Sequence, residues 1–324
     1  MGLKTRKISP LFLFLILIST FLPVQATPEL IITVTTDREG YYDERIVQIH
    51  GNLTKDGSPV NDGLVALQVW DPSQQTFVLR TLSTGNIPPI AWLVKIWDVF
   101  PSDSLGNPKD SFARGELAHF NITVKNIDIE PHTVLLTINI YDLNNAPLGL
   151  GLVYRLLVPN RTELPEVLQV DIPAWAAVGN ATAYANAYTD YPRLEGTPYC
   201  PEVSAKFQIT GGSQATTPTT KTQPTTLQAD GTYNLNFKLA PDATHGNYTI
   251  YVTTSYQGQT AFNSTTFKVK ILGDIDGDGD VDYEDLFMFG EAYIGKYNPE
   301  ADLNNDGSID YEDLFLLGEA YVRF

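Results

Sequence analysis

From residue 29 to residue 272 apolar and polar positions alternate with a period of two, which predicts β-strands with one buried face. Tyr233, Leu235, Phe237 and Leu239 point one way, and Thr232, Asn234, Asn236 and Lys238 the other. Phe120, Ile122 and Val124 oppose Asn121 and Thr123, and Tyr248, Ile250 and Val252 oppose Asn247 and Thr249. Ile49 and Leu53 likewise oppose Asn52 and Thr54. Turn-forming clusters such as KDGSPVNDG separate these runs. No amphipathic helical pattern precedes residue 283, so the body is expected to be all β.

Residues 29–85 offer about four strands and 228–272 about three, and neither set closes a sandwich alone, whereas together they reach the immunoglobulin-like number of about seven. The expected fold class is therefore mainly β, with two immunoglobulin-like β-sandwiches and a small α-helical calcium-binding domain. Residues 27–86 and 228–272 form one discontinuous sandwich in this reading. Residues 87–212 form a second, inserted sandwich, 213–227 a Thr/Pro-rich linker too polar to pack, and 273–324 the terminal domain. Three consecutive domains are the alternative, disfavoured because a short three-strand fragment has little core.

The N-terminus reads as a processing segment. Lys4, Arg6 and Lys7 precede an apolar run from Leu11 to Leu22, and Val24-Gln25-Ala26 offers a small-residue cleavage site. A signal peptide at 1–26 is expected, with export to a secreted, cell-surface-associated location. An uncleaved anchor is the alternative, although the run is shorter than the roughly 20 residues that span a bilayer. Export permits disulfides, but the single Cys200 has no internal partner. It reads as a small buried hydrophobe or, alternatively, as one half of an intermolecular bridge. Asn52, Asn121, Asn160, Asn180, Asn247 and Asn263 head N-glycosylation sequons.

Charge sharpens the picture at the C-terminus. The net charge is −17, and residues 274–324 hold fifteen of the 38 acidic residues but two of the 21 basic ones. That argues against nucleic-acid binding, and no nucleic-acid partner is expected. The acids are regularly spaced in DIDGDGDVDYED (274–285) and DLNNDGSIDYED (302–313). A twelve-residue calcium loop presents oxygens from positions 1, 3, 5, 7, 9 and 12, with a glycine at the sixth position making the sharp turn. In the first run these are Asp274, Asp276, Asp278, Asp280, Asp282 and Asp285, with Gly279 at the turn. In the second they are Asp302, Asn304, Asp306, Ser308, Asp310 and Asp313, with Gly307 at the turn. The seventh position contributes a backbone carbonyl, so Asp280 and Ser308 are free to differ. Segments 274–294 and 302–322 share 13 of 21 residues, which a fortuitous acidic turn would not do.

An EF-hand needs a helix before the loop as well as after it. Here the strand FKVKIL precedes Asp274, and Gly295 and Pro299 interrupt any helix before Asp302. Two tandem loop-plus-one-helix units closely resemble a dockerin, the calcium-binding F-hand module that plugs into a cohesin domain. The resemblance implies two calcium ions held at the twelve positions above. It also implies cohesin contact through the tenth and eleventh loop positions, here Tyr283-Glu284 and Tyr311-Glu312. Many dockerins carry small hydroxyl residues there. Identical pairs leave a two-fold, either-way-round mode open. Leu286, Phe287, Tyr293, Leu314, Phe315 and Tyr321 are expected in core plus interface, or in core alone, and Gly290 and Gly318 to permit close helix approach. In the body, TTDREGYY with IVQIHGNLTKDGSPVNDGLVALQV resembles the front half of a macroglobulin MG2-like sandwich, and DGTYNLNFKLAPDATHGNYTIYV its back half. YDERIV departs from that family's Pro-Gly turn. AHFNITVKN through VLLTINIYDL resembles a cell-adhesion-type sandwich.

No Gly-x-Ser-x-Gly, phosphate loop or His-Glu-x-x-His occurs, and His50, His119, His132 and His245 are scattered. The expectation is a non-catalytic, secreted modular protein that docks on a cohesin-bearing scaffold or cell-surface protein, with no cofactor besides calcium. The alternative is a carbohydrate-binding or accessory component of an extracellular polysaccharide-degrading complex. Tyr184 and Tyr188, opposite Ala183, Ala185 and Ala187, could then stack on sugar, or else pack in the core.

Overall fold

The computed structural model describes residues 29–211, 230–304 and 306–323; the expected signal peptide (1–26) and linker (213–227) lie outside them. Eighteen strands and two helices make up the described regular structure, apart from one short 3-10 turn at Pro192–Leu194. The fold is mainly β, as the alternation requires.

One pair of sheets is built from both ends of the body. The first contains β1 (Leu30–Ile32), β4 (Ile46–Lys55) and β16 (Thr232–Lys238), with β2 (Thr35–Thr36) and β5 (Ser58–Pro59) also on β4. The second runs β3 (Gly40–Tyr42), β18 (Gln259–Lys270), β17 (Gly246–Tyr256), β6 (Leu64–Trp70), β7 (Thr76–Ser83). Leu235 lies opposite Ile49, and Val252 opposite Leu67. Between these sheets Val47, Ile49, Leu67, Phe237, Ile250 and Val269 form one wholly buried cluster. Residues from the two ends of the body thus share a core.

The intervening chain has its own. A three-stranded sheet places β10 (Leu117–Asn126) between β13 (Glu163–Asp171) and β8 (Val94–Ser102). It faces a sheet of β12 (Pro147–Val158), β11 (His132–Tyr141), β14 (Gly179–Tyr188), β15 (Val203–Thr210) and β9 (Ser111–Ala113). Phe120, Ile122, Val124, Ile138, Ile140 and Phe207 fill the space between. Cys200 is buried in this cluster as a free thiol, and desolvation pushes its pKa up to about 11.

Strand β7 joins the two cores. The Asn139 side chain accepts from the Leu79 N–H (3.1 Å), and that of Asn186 accepts from the Thr81 N–H (3.1 Å). Between these contacts Arg80 is buried, paired to Glu202 at 2.6 Å and 2.8 Å, with its guanidinium 3.4 Å from the Tyr184 ring centroid and 5.0 Å from that of Tyr141. Tyr188 is fully buried against Ala66, Leu79 and Leu135. Tyr188 is therefore sealed in the junction between the two cores, and Tyr184 is half-buried with the Arg80 guanidinium over its ring, so the two do not form the exposed sugar-stacking row considered for them. β-alternation told their side from the alanines but not what covered it.

The tail packs on the body instead of hanging from it. Helices α1 (Tyr283–Ile294) and α2 (Tyr311–Arg323) enclose Ile275, Val281, Phe289, Ala301, Leu303 and Leu317, and Tyr42 of β3 belongs to the same cluster. Lys270 on β18 pairs with Glu300 at 2.6 Å. Gly273, at φ +93°, turns the chain from β18 into the tail; a Cβ there would lie 3.0–3.1 Å from Ala320, Leu317 and Val281. Only glycine meets both demands without displacement.

Candidate metal centre

The first loop needs φ of +82° at Gly277 and +104° at Gly279, and the second +91° at Gly307, the left-handed region that glycine enters freely. Between the glycines, carboxylates tie the backbone. Asp274 accepts from Gly277 N–H (2.7 Å), Asp276 from Asp278 N–H (3.0 Å), and Asp278 from Asp280 N–H (3.1 Å). Each of these bonds engages a single oxygen, so Asp276 and Asp278 keep the other for a ligand. In the second loop Asn304 accepts from Asp306 N–H (2.9 Å) and Asp306 from Ser308 N–H (2.8 Å). The second Asp306 oxygen accepts from the Asn304 amide at 3.1 Å, so a ligand there would have to displace that bond.

The twelfth position closes each loop. Asp285 is 1% exposed and accepts from Ile275 N–H (2.6 Å) and Asp282 N–H (2.8 Å). Asp313, fully buried, accepts from Asn304 N–H (3.0 Å) and Asp310 N–H (2.9 Å). Asp282 caps α1 by accepting from Glu284 N–H, completing a capping box with Asp285, and Asp310 accepts from Glu312 N–H in the same way at α2. Asp at the twelfth position serves loop and helix together. Asp302 accepts from Gly307 N–H and from the Tyr297 hydroxyl, at 2.8 Å and 2.7 Å. Tyr297 was not singled out by sequence, since it lies outside the repeat.

Two groups of three carboxylates come together in the first loop: Asp274, Asp276 and Asp278, and Asp280, Asp282 and Asp285. Within each group one oxygen per residue lies within 4.8 Å of the others, and each group could hold a metal ion. The Asp280 carboxylate, expected to be a bystander to its own carbonyl, is part of the second group. The donors are all oxygen, which suits a hard cation. Val281 is buried in the tail core.

Mutual repulsion is visible in the carboxylates. Asp276 accepts an N–H that favours its ionised form, yet desolvation and the charges of Asp278, Asp285 and Asp274 raise its pKa. Asp278 is the main cause of a raised pKa at Asp280, with Asp282, Asp285 and Asp276 adding to it. Both hold protons more tightly folded than unfolded. In metal-free protein these two groups therefore contribute stability that is present below the ordinary carboxylate range and is lost as pH rises through their raised values. Helical circular dichroism of the chelated chain that grows as pH falls through these values checks the sign.

The helix starts are open to solvent. Tyr283 is 68% exposed and Tyr311 73%, and Glu284 and Glu312 are exposed beside them, Glu312 also accepting from Asn304 at 3.3 Å. Leu286, Phe287, Tyr293, Leu314, Phe315 and Tyr321 are exposed too, so they do not form the core; Phe289, Ala292, Leu317 and Ala320 do. A Cβ on Gly290 or Gly318 would meet nothing within 4 Å, so neither glycine brings helices together. Gly318 lies instead in an open groove on α2, with Tyr311, Leu314, Phe315 and Val322. The six sequon asparagines are on strands or turns; Asn52, Asn160, Asn180 and Asn247 are exposed, whereas Asn121 and Asn263 are half-buried, their side chains donating to Gly106 O and Ile32 O.

The chain matches no protein-family profile and no curated protein. Among solved structures it is similar to the C-terminal domain of wzt, at 13% identity and TM-score 0.32, over 40% of this chain and 86% of that one. It is also similar to a β-glucosidase from Listeria innocua (13% identity, TM-score 0.25, over 37% of this chain and 16% of that one). Salmonella alpha-2-macroglobulin reacted with methylamine is similar over 74% of this chain and 23% of its own length, at 10% identity and TM-score 0.20. These are weak likenesses of β-rich fold. No described helix is long and apolar enough to cross a membrane.

Proposed function

We propose that residues 273–324 are a calcium-dependent docking module of the dockerin kind, carried by a non-catalytic, secreted protein whose β-sandwiches serve adhesion or structure. In this reading each loop holds one calcium ion, through Asp274, Asp276, Asp278, Asp280, Asp282 and Asp285 in the first and Asp302, Asn304, Asp306, Ser308, Asp310 and Asp313 in the second. Calcium supplies the positive charge that the carboxylates lack. The observation that carries the reading is the duplicated, exposed Tyr-Glu pair at each helix start, flanked by apolar side chains that the tail core does not use.

The body is read as a discontinuous MG2-like sandwich (27–86 with 228–272) holding an inserted sandwich (87–212). The sharing of two sheets by strands from both ends of the body supports this.

The partner is a cohesin-domain protein on a scaffold or cell surface. Surface plasmon resonance of the full chain over immobilised cohesin domains, with calcium and then chelator, tests this. Binding is expected only with calcium. Tyr283→Ser combined with Phe287→Ser, or the matching Tyr311→Ser with Phe315→Ser, should each spare it if the two faces substitute for one another. All four together should weaken it by more than about 2 kcal/mol, the loss of a central aromatic anchor. No calcium-dependent binding to any cohesin would remove the proposal.

A further inference from the structure

One surface feature outside the tail is left without a role. Six side chains follow one another across the body: Phe262, Tyr251, Trp70, Arg193, Tyr191 and Tyr154. The Tyr251 ring centroid lies 6.2 Å from Phe262 and 6.1 Å from Trp70. The Arg193 guanidinium is 4.9 Å from the Trp70 ring and 5.2 Å from that of Tyr191, which is 5.6 Å from Tyr154. Every member is exposed or half-buried.

The row is built by the fold. Trp70, Tyr251 and Phe262 occupy the outward side of β6, β17 and β18, where pairing puts Thr249 opposite Trp70 and Ser264 opposite Tyr251. The 3-10 turn carrying Arg193 lies on that same face: Arg193 N–H donates to Gln68 at 3.0 Å, and the Thr253 hydroxyl donates to Gly196 O. Tyr154 comes from β12 of the other core. The row therefore passes from one core to the other.

Its chemistry distinguishes possible occupants. The strand positions between the rings carry hydroxyls, Thr249, Ser264 and Thr266, where a protein-docking face would carry aliphatic side chains. Aromatic faces among hydroxyls suit sugar rings, which have an apolar face and a rim of hydroxyls. Arg193, and Arg155 at 5.2 Å from the Tyr154 ring, form no ion pair among the described residues. The neighbouring Asp190 is engaged by Tyr191 N–H and the Tyr154 hydroxyl. We infer that this row binds an extended polysaccharide bearing uronic acids, its rings stacked on the aromatics and a carboxylate at Arg193. The site is independent of the docking module.

The test is native affinity electrophoresis of the full calcium-loaded chain in gels cast with glucuronoxylan, and in parallel with unsubstituted xylan. Retardation by glucuronoxylan is expected, falling at least about tenfold in apparent affinity when Tyr154, Arg193 and Phe262 are all replaced by Ala. An unchanged melting temperature and unchanged strand circular dichroism would show that the variant is folded, whether or not the chain binds a cohesin. Absence of retardation, equal retardation of the variant, or equal retardation in unsubstituted xylan overturns the assignment. So does self-association in sedimentation that the triple variant abolishes, since the row would then be a protein interface.

Discussion

Chelation of the purified protein should abolish the helical circular dichroism contributed by Tyr283–Ile294 and Tyr311–Arg323 while leaving the strand signal in place. Residues 274–324 carry fifteen acids against two bases, and their core is a small cluster into which even Tyr42 of the body is drawn. A domain of about 50 residues buries too little surface to hold such charge together unaided. Calcium at about 100 times its dissociation constant adds roughly 2.7 kcal/mol per independent site, so emptying the two proposed sites would withdraw about 5 kcal/mol. Because Tyr42 lies in the tail cluster, its ring should become solvent-accessible in the same step, and Tyr42→Ala should raise the calcium concentration at which the helices form. Helical signal that survives chelation unchanged would contradict the coupling of metal binding to folding.

Replacing Arg80 by Ala should be the most damaging single substitution in the body, by about 3–5 kcal/mol, because it strands Glu202 in a largely buried site. Burial disfavours the Arg80 charge, but Glu202 more than compensates and holds its pKa well above the ordinary value. The Arg80 side chain is 7% exposed and that of Glu202 20%, so solvent screens the pair little. Stacking on Tyr184 is lost as well, a contact worth about 2 kcal/mol when desolvated. The double variant Arg80→Met with Glu202→Leu should recover most of the loss, since an apolar pair of similar volume avoids desolvating two charges. Urea midpoints at constant slope measure all three. A loss below about 1 kcal/mol for Arg80→Ala would mean that the junction does not depend on this pair.

Much of this was legible because it is local. Alternation assigned Tyr233, Leu235 and Phe237 inward, and all three are buried, because a strand's side chains must point to opposite faces. Ligand spacing placed Asp285 and Asp313 at loop-closing positions, and both accept backbone N–H groups there. The same locality explains the misses. Leu286, Phe287, Leu314 and Phe315 look like core residues to any hydrophobicity scale but lie on the outer helix faces, while one turn on Phe289 and Leu317 fill the interior. Gly290 and Gly318 suggested close packing, yet open space surrounds them.

The sequence by itself determined the strands, the oxygen-rich loops and their duplication, since each depends on residues close to one another along the chain. Only the tertiary structure decided what each face meets. Tyr188 is closed off in a junction, whereas Trp70 and Tyr251, no different in periodicity, stay half-exposed in a row of rings on an outer sheet face. That outcome depends on which sheet lies over which, and contacts between residues far apart in sequence leave no period in the chain to read.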